Sequence, residues 1–317
     1  MSNNENKENK QQEDYLSSFV EKTEEMGTNI REIKDTLSAD VTPSLEYLNV
    51  DLKMLPLGMF YKKDIQIKIR AAKVQEIQNY STIDNMNYID VTEKMNQLLG
   101  SCVKVIHGNG MAGSYKDLKD GDRLFIIFMI RELTFQKGPS LAKEVTCEHC
   151  THEFKIPFRA TNGPEHKKSF DLHEMPEKLE KYFNRELRCF DFNINGVSYK
   201  IAPPTIGIQE IFFDNIKGKV QAEKNPNVSF LKIIPFTLWD KSKITDEGIK
   251  AKEDEFKRMD MYTFQVLNQA VEKMIFGLKG LNAECPECGG EVHTDMSFPE
   301  GASSLFVIPD FFEDFIK

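Results

Sequence analysis

The sequence predicts an α+β protein made of two related halves that share a four-cysteine metal site. Short stretches of alternating apolar and polar residues, typical of strands, are interspersed with longer amphipathic stretches typical of helices. A motif ending in Gln-Glu-Ile occurs at 67–77 and again at 199–211. A Cys-x-x-Cys motif follows 70 residues after the first copy and 74 residues after the second. This shared order predicts an internal duplication with a period of about 135 residues.

Length and charge exclude several classes of protein. A chain of 317 residues is long enough for two domains or for one elaborate domain. The net charge of −9 argues against a main role in binding nucleic acid, because phosphate binding requires a concentrated cationic surface. The longest apolar run, LFIIFMI at 124–130, is too short to cross a bilayer, so no membrane contact is expected. The polar N-terminus lacks a signal-peptide pattern and predicts synthesis in the cytoplasm.

The N-terminal region divides into a polar leader and an amphipathic helix. Residues 1–14 contain almost no apolar side chains and are expected to be disordered. Over residues 15–38, apolar side chains recur at spacings of three and four, which is the register of a coiled coil. They are Leu16, Phe19, Met26, Ile30, Ile33 and Leu37, with Thr23 as a polar member of the series. Two interpretations stay open: this helix packs on its own protein, or it docks onto a partner's helix, including self-association.

The first half, residues 50–158, is predicted to run from a strand through helices to a cysteine knuckle and a closing strand. Isoleucines alternate with polar residues over 65–69, which indicates a strand with one buried face. Helices are expected at 71–81 and at 122–133, where the apolar residues have helical spacing. The stretch THEFKIPF at 151–158 then reads as the closing strand.

The second half, residues 185–300, repeats this order. It opens with CFDFNINGVSYKIAP, which predicts a hairpin because Asn195-Gly196 tolerates the positive φ angles of a type I′ turn. A long helix is expected at about 250–276, before the second knuckle, and GGEVHTDMSFP then reads as the closing strand. The aromatic tail at 301–317 either packs on its parent domain or inserts into a neighbouring subunit.

The two Cys-x-x-Cys knuckles predict one shared metal site. Two thiolates from each of two tight turns form the tetrahedral zinc site of zinc ribbons, so Cys147, Cys150, Cys285 and Cys288 are the candidate ligands. Although 134 residues separate the knuckles, closing such a loop costs about 4 to 5 kcal/mol. Structural zinc supplies about 10 to 16 kcal/mol. Four thiolates leave no position for water or substrate, so the expected cofactor is a structural Zn²⁺ and no catalytic residue is assigned.

Other arrangements of these residues stay open. One knuckle could recruit His149, His152 or His293, which would give two separate sites, or both knuckles could be redox-active dithiols. Cys102 and Cys189 fall outside the pattern and are expected to be ordinary buried thiols.

A glycine-rich loop at 108–113, GNGMAG, matches the dinucleotide-binding pattern G-x-G-x-x-G in letters only. That site requires a full helix after the glycines, with its N-terminus at the pyrophosphate. The stretch that follows, SYKDLKDGD, contains an Asp-Gly breaker instead. A flexible glycine loop with no cofactor is therefore predicted.

The cysteines and the apolar pattern together resemble a known family. The resemblance is carried by LPLGMFY, IQIKIRAAKVQEIQ, DRLFIIFMIRELTF, CEHC and CPECG. In these stretches the chain resembles the baseplate hub proteins of T-even-type contractile-tailed bacteriophages, over about 50–158 and, through the repeat, 185–300. The resemblance implies a virion or assembly protein that contacts other baseplate or tail subunits and has no enzymatic activity. The alternative hypothesis is a zinc-ribbon factor that binds nucleic acid in replication or transcription.

Overall fold

The computed structural model describes the chain in eight ranges. These are residues 46–135, 141–158, 171–172, 177–222, 232–237, 244–273, 278–295 and 301–306. The predicted leader at 1–14 and the predicted helix at 15–38 lie outside the described residues, as does the tail beyond 306. The chain from Tyr47 onward forms one compact unit. It combines helices with antiparallel strands, so the α+β prediction is confirmed.

The helices and strands of this unit have the following bounds. The helices are α1 (Val74–Ser81), α2 (Tyr88–Cys102), α3 (Arg123–Thr134), α4 (Glu177–Glu180), α5 (Ile206–Ala222), α6 (Asp246–Arg258) and α7 (Met261–Lys273). The strands are β1 (Leu48–Asn49), β2 (Gln66–Ile69), β3 (Val103–Ile106), β4 (Ala112–Gly113), β5 (Leu141–Thr146), β6 (Glu153–Phe158), β7 (Asp171–Leu172), β8 (Phe183–Asn184), β9 (Cys189–Ile194), β10 (Val197–Ile201), β11 (Leu278–Glu284) and β12 (Glu291–Asp295). Short 3₁₀ turns join several of them.

The first sheet has the strand order β1-β2-β3-β4, with each neighbouring pair antiparallel. Ile67 and Ile69 of β2 are buried and Gln66 is exposed, which confirms the predicted one-faced strand. Helix α3 contributes its buried apolar run to the same hydrophobic core as the buried side chains of this sheet. Within the described ranges, no helix is both long and apolar enough to span a bilayer.

The second sheet has the order β10-β9-β8 and contains the predicted hairpin. Ile194 pairs with Val197, and the turn between them has φ angles of 51° at Asn195 and 81° at Gly196. Both angles are positive, as a type I′ turn requires, so the hairpin prediction is confirmed. The side chains of β9 that face inward include Phe190, which is fully buried.

The long helix expected at about 250–276 is wrong in one respect, because two helices occupy this region. The backbone leaves the helical conformation at Met259, where ψ is 143°. The carboxylate of Asp260 then accepts hydrogen bonds from the backbone N–H of Thr263, at 2.9 Å, and from its hydroxyl, at 2.7 Å. A carboxylate that accepts from the first-turn N–H groups begins a new helix, so the chain starts α7 here.

The described residues of the unit form two hydrophobic cores, and each contains residues from both predicted halves. Leu57 and Phe60, from the first half, pack in the core formed by β9, β10, α6 and α7. Cys285 and Val292, from the second half, pack in the core formed by the first sheet and α3. Because the halves exchange apolar side chains, neither core is complete without the other half.

The start of the predicted tail packs on the same chain. A short helical turn at Ala302–Phe306 buries Leu305 and Phe306 in the first core. The ring of Phe306 lies edge-on to that of Tyr80, with centroids 5.0 Å apart. For these residues, packing on the parent domain is therefore the observed arrangement.

Candidate metal centre

The first knuckle is the tip of the β5–β6 hairpin. Thr146 pairs with Glu153, so the strands close immediately outside the knuckle. Inside it, the backbone N–H of Cys147 donates to the carbonyl oxygen of His152 at 2.9 Å, and that of Thr151 donates to the carbonyl of Cys147 at 2.9 Å. Thr151 has a φ of 59°, in the left-handed region. This closed turn places Cys147 and Cys150 on one side of the hairpin tip.

The second knuckle has the same backbone arrangement at the tip of the β11–β12 hairpin. Glu284 pairs with Glu291 immediately outside it. The N–H of Cys285 donates to the carbonyl of Gly290 at 2.8 Å, and that of Gly289 donates to the carbonyl of Cys285 at 2.9 Å. Gly289 has a φ of 69°, which a glycine adopts without steric cost. The two knuckles therefore match hydrogen bond for hydrogen bond.

The four cysteine sulfurs converge in one cluster. One sulfur from each of Cys147, Cys150, Cys285 and Cys288 lies within 4.8 Å of every other. Two of these contacts cross between the knuckles: Cys147 Sγ is 3.6 Å from Cys288 Sγ, and Cys150 Sγ is 3.6 Å from Cys285 Sγ. These distances are too long for disulfides, and all four thiols are free. The four sulfurs are close enough to bind one metal ion.

The cluster favours a cation because its thiols oppose one another's ionisation. Burial disfavours the Cys147 thiolate, but hydrogen bonds from the backbone N–H groups of His149 and Cys150 lower its pKa to about 6. The N–H of His152 also favours the Cys150 thiolate, yet burial and the surrounding sulfurs raise the pKa of Cys150 to about 12. One negative charge thus suppresses the next. Four thiolates at neutral pH require a positive charge among them.

The histidines near the knuckles do not join this cluster. The ring of His149 lies over Gly290, where a Cβ would come within 2.4 Å of it. His152 Nδ1 is 3.8 Å from a carboxylate oxygen of Glu287, and His293 Nδ1 is 2.6 Å from Asn282 Oδ1. Among the described residues, the potential metal-binding group consists of the four cysteines alone. The geometry therefore favours one shared site over two histidine-assisted sites.

The other two cysteines and the glycine-rich loop lie outside the metal centre. Cys102 and Cys189 are fully buried outside the cluster, which confirms them as ordinary buried thiols. The glycine-rich loop at 108–113 makes a tight turn between β3 and β4, with Gly110 at a φ of 79°. The next element is a three-residue 3₁₀ turn, so no helix N-terminus is present for a pyrophosphate. The loop therefore lacks the helix that the dinucleotide-binding pattern requires.

Sequence reasoning missed a buried polar network where the two halves meet. Asp122 is fully buried. Its Oδ1 accepts from the backbone N–H of Leu57 at 2.9 Å, and its Oδ2 accepts from the Tyr61 hydroxyl at 2.8 Å. Burial raises the pKa of Asp122 to about 7. The sequence signal was Asp-Gly-Asp before the apolar helix, which indicates a breaker and gives no sign of burial.

Lys119 extends this network to the second half. Its backbone N–H donates to the Tyr61 hydroxyl at 2.7 Å, and its Nζ donates to the carbonyl of Pro203 at 2.9 Å. Burial lowers the pKa of Lys119 to about 8. Next to it, the N–H of Ile206, at the start of α5, donates to the carbonyl of Leu118 at 2.8 Å. We call Tyr61, Lys119 and Asp122 the polar seam.

With a metal ion bound, the four cysteines would cross-link the two hairpins and would not catalyse a reaction. Four sulfur ligands fill a tetrahedron, which leaves no coordination position for water or substrate. The ligands come from hairpins 135 positions apart in the chain, so a bound ion would join distant segments.

Comparison of the chain with protein-family models, with curated proteins and with solved structures finds no match in any of the three.

Proposed function

We propose that this chain is a non-enzymatic structural or assembly component of a bacteriophage tail baseplate, stabilised by one zinc ion that links two related halves. The observation that carries the structural part of the proposal is the convergence of four free thiols from two distant hairpins. The baseplate assignment is supported by the resemblance of CEHC, CPECG and the apolar stretches before them to baseplate hub proteins. On this proposal the protein acts through contacts with other baseplate or tail subunits in the virion, after assembly in the host cytoplasm.

Zinc is the ion that suits this donor set best. Cys147, Cys150, Cys285 and Cys288 would hold it, because four thiolates in tight knuckles are the usual ligands of structural zinc. Soft sulfur donors disfavour magnesium and calcium, which prefer oxygen. A bound zinc would neutralise the thiolates and cross-link the hairpins. A closed site of this kind supports a structural role rather than a catalytic one.

An internal duplication is supported by the matching knuckles and by a second correspondence at the start of each half. In the first half, Ile69 at the end of β2 pairs with Val103. In the second half, Ile201 at the end of β10 pairs with Thr237 through an isolated bridge. Ile69 and Ile201 occupy the same place in the repeated sequence motif.

The hydrogen bond next to each of these pairs is also the same. The N–H of Arg70 donates to the carbonyl of Cys102 at 3.0 Å, and the N–H of Ala202 donates to the carbonyl of Phe236 at 2.8 Å. In each half, the residue after the isoleucine bonds to the residue before its partner. A backbone correspondence that recurs at both ends of the halves is what descent from one ancestral unit predicts. We therefore infer that the chain arose by duplication, with one zinc ligand pair retained from each copy.

The assembly role is tested on particles and the metal on purified protein. Mass spectrometry of tails and baseplate intermediates from infected cells should detect the chain together with other baseplate subunits. Its presence in the lysate but absence from every tail intermediate would contradict the assembly role. Elemental analysis of the purified chain should give one zinc per molecule. A zinc content near zero in folded protein would contradict the metal assignment.

A further inference from the structure

The metal centre has a buried side and an exposed side. Cys147 and Cys285 are buried members of the first core, and Cys150 is partly buried against that core. Cys288 does not belong to the core and is exposed. It is the one exposed cysteine of the six in the chain, all of which the structure describes. A reagent in solution therefore reaches Cys288 before the other three ligands.

The chain around Cys288 is exposed as well. Residues 286–289, at the tip of the second knuckle, are all exposed. The backbone N–H of Gly290 donates to Cys288 Sγ at 3.4 Å. The ring of His149 lies against the same glycine and is itself exposed. Cys288 therefore lies at the protein surface, next to a backbone N–H and an imidazole ring.

Cys288 has a partner sulfur on the other hairpin. Cys147 Sγ is 3.6 Å from Cys288 Sγ, whereas the S–S bond of a disulfide is about 2.05 Å long. The two sulfurs need to approach each other by about 1.5 Å to form that bond. The other two ligands form an equivalent pair, because Cys150 Sγ is 3.6 Å from Cys285 Sγ. Each of these pairs contains one sulfur from each hairpin.

We propose that Cys288 is the site at which a peroxide oxidises the metal centre, and that the oxidised Cys288 then forms a disulfide with Cys147. A bound zinc ion keeps its cysteine ligands as thiolates. The susceptibility of a thiolate to peroxide rises with its exposure. Of the four ligands, Cys288 is the exposed one. The inference rests on the zinc centre of the proposed function and adds a chemical modification that ends metal binding.

The reaction has two steps and consumes one hydrogen peroxide. In the first step the Cys288 thiolate attacks one peroxide oxygen, the O–O bond breaks, and a sulfenic acid and a hydroxide ion form. In the second step the Cys147 thiolate attacks the Cys288 sulfur, the S–O bond breaks, and the disulfide and a second hydroxide ion form. The two thiolates lose two electrons together, and the peroxide gains them.

The disulfide replaces one cross-link by another. Zinc loses two of its four ligands, so the ion is released. The new bond joins the β5–β6 hairpin to the β11–β12 hairpin, so the two stay linked without metal. The cytoplasm keeps thiols reduced, whereas the medium outside the cell is oxidising. On the proposed assembly role, the protein would carry zinc during assembly and the disulfide after release of the particle.

The test maps the oxidised sulfurs in the native, zinc-loaded chain. Hydrogen peroxide is added, free thiols are blocked with N-ethylmaleimide, and the protein is digested with an endopeptidase that cleaves after glutamate. Cleavage after Glu148 and Glu287 places the four ligands on separate peptides, so tandem mass spectrometry identifies each disulfide. We expect the first disulfide to join Cys147 and Cys288. A first disulfide within one knuckle, one between Cys150 and Cys288, or zinc release without any disulfide would overturn the proposal.

A pair of variants tests whether Cys288 sets the rate of zinc release. Cys288→His keeps a fourth ligand, because three cysteines and one histidine also form structural zinc sites. Zinc release by peroxide, measured with a colorimetric zinc indicator, should be about tenfold slower in this variant than in the native chain. The matched control, Cys150→His, makes the same exchange at a less exposed ligand and should stay within about twofold of the native rate. Equal rates in Cys288→His and in the native chain would contradict the proposal.

Zinc content before oxidation separates this proposal from the metal assignment. One zinc per molecule, together with a first disulfide that lacks Cys288, contradicts only the oxidation proposal. Folded protein without zinc contradicts the metal assignment, whichever disulfide it forms. Where Cys288→His holds no zinc before oxidation, the disulfide map of the native chain decides the proposal alone.

Discussion

The metal centre and the polar seam both join distant segments of the chain, but they do so in different ways. At the metal centre, four sulfurs from two hairpins lie within 4.8 Å of one another. At the polar seam, Asp122 accepts hydrogen bonds from Leu57 and Tyr61, and Lys119 donates to Pro203. The sulfur cluster needs an added cation, because its thiolates repel one another. The seam satisfies its polar groups with donors and acceptors of the chain itself.

The metal centre and the polar seam, the two junctions between distant segments, therefore depend on different conditions. The metal junction depends on the supply of an ion and on the reduced state of its thiols. The polar seam depends on pH, because it buries a carboxyl and an amine whose pKa values are shifted towards neutrality. Each junction can therefore be broken without direct change to the other.

The largest effect is expected from breaking the metal junction at a buried ligand. Cys147 is fully buried, so Cys147→Ser removes a zinc ligand and leaves a hydroxyl beside the remaining thiols. We expect zinc content to fall well below one per molecule and the free energy of unfolding to fall by about 4 kcal/mol or more, since metal loss is among the most damaging changes. Elemental analysis and urea denaturation measure the two quantities.

The control for this variant is Cys102→Ala, which removes a buried thiol outside the cluster. It should keep one zinc and lose about 1 to 2 kcal/mol from the lost packing. A double variant of Cys285 and Cys288 should bind no zinc. Retention of one full zinc in that double variant would show that each knuckle binds metal without the other and would refute the shared centre.

A smaller effect is expected from breaking the polar seam. Asp122→Ala leaves the N–H of Leu57 and the hydroxyl of Tyr61 buried without their acceptor. Two unsatisfied buried donors cost about 2 to 4 kcal/mol together. Asp122→Asn keeps one carbonyl acceptor and should cost less. Both variants should keep one zinc per molecule, so urea denaturation and elemental analysis together separate the seam from the metal centre.

The contribution of the polar seam to stability should depend on pH through Asp122. Burial raises the pKa of Asp122 to about 7, from an ordinary value of about 4 in the unfolded chain. The protonated Asp122 carboxyl therefore adds to the free energy of unfolding in full below about pH 4, and this contribution is lost as the pH rises to 7. Between these pH values the free energy of unfolding should fall by up to about 1.4 kcal/mol per pH unit. Lys119, whose pKa burial lowers to about 8, titrates above this window.

The measurement is the difference in unfolding free energy between the native chain and Asp122→Asn across pH 4 to 7. Other carboxyls contribute to both proteins and cancel in this difference. The native chain should lose stability relative to the variant as pH rises. A difference that does not change with pH would show that the Asp122 carboxyl has an ordinary pKa in the fold.

The smallest effects are expected from exchanging the left-handed residues of the two knuckles. Gly289 has a φ of 69°, and its Cβ position is empty, so Gly289→Thr should cost only the backbone strain of about 1 to 2 kcal/mol. Thr151, at a φ of 59°, already bears this strain, so Thr151→Gly should be neutral or stabilise by up to about 1 kcal/mol. Urea midpoints of the zinc-loaded variants compare them, and equal losses in both would mean that φ does not explain the difference.

Much of the local structure could be predicted from the sequence. Asn195-Gly196 predicted the hairpin turn, and the alternating isoleucines predicted a strand whose Ile67 and Ile69 are buried. The Cys-x-x-Cys spacing predicted the four sulfurs that converge. The single helix expected at about 250–276 is wrong because apolar spacing continues past Asp260, whose capping hydrogen bonds to Thr263 start a second helix. The N-terminal coiled-coil register stays a prediction.

The sequence by itself determined which residues can turn, alternate or bind metal, because these properties depend on a residue and its near neighbours. Only the tertiary structure decided that Leu57 packs in the second core, that Val292 packs in the first, and that Asp122 is buried. It also brought Asn96 of α2 against Glu210 of α5, 114 positions away in the chain, where the Asn96 amide donates a hydrogen bond to the Glu210 carboxylate. Burial depends on which distant segments cover a side chain, and no local pattern of residues carries that information.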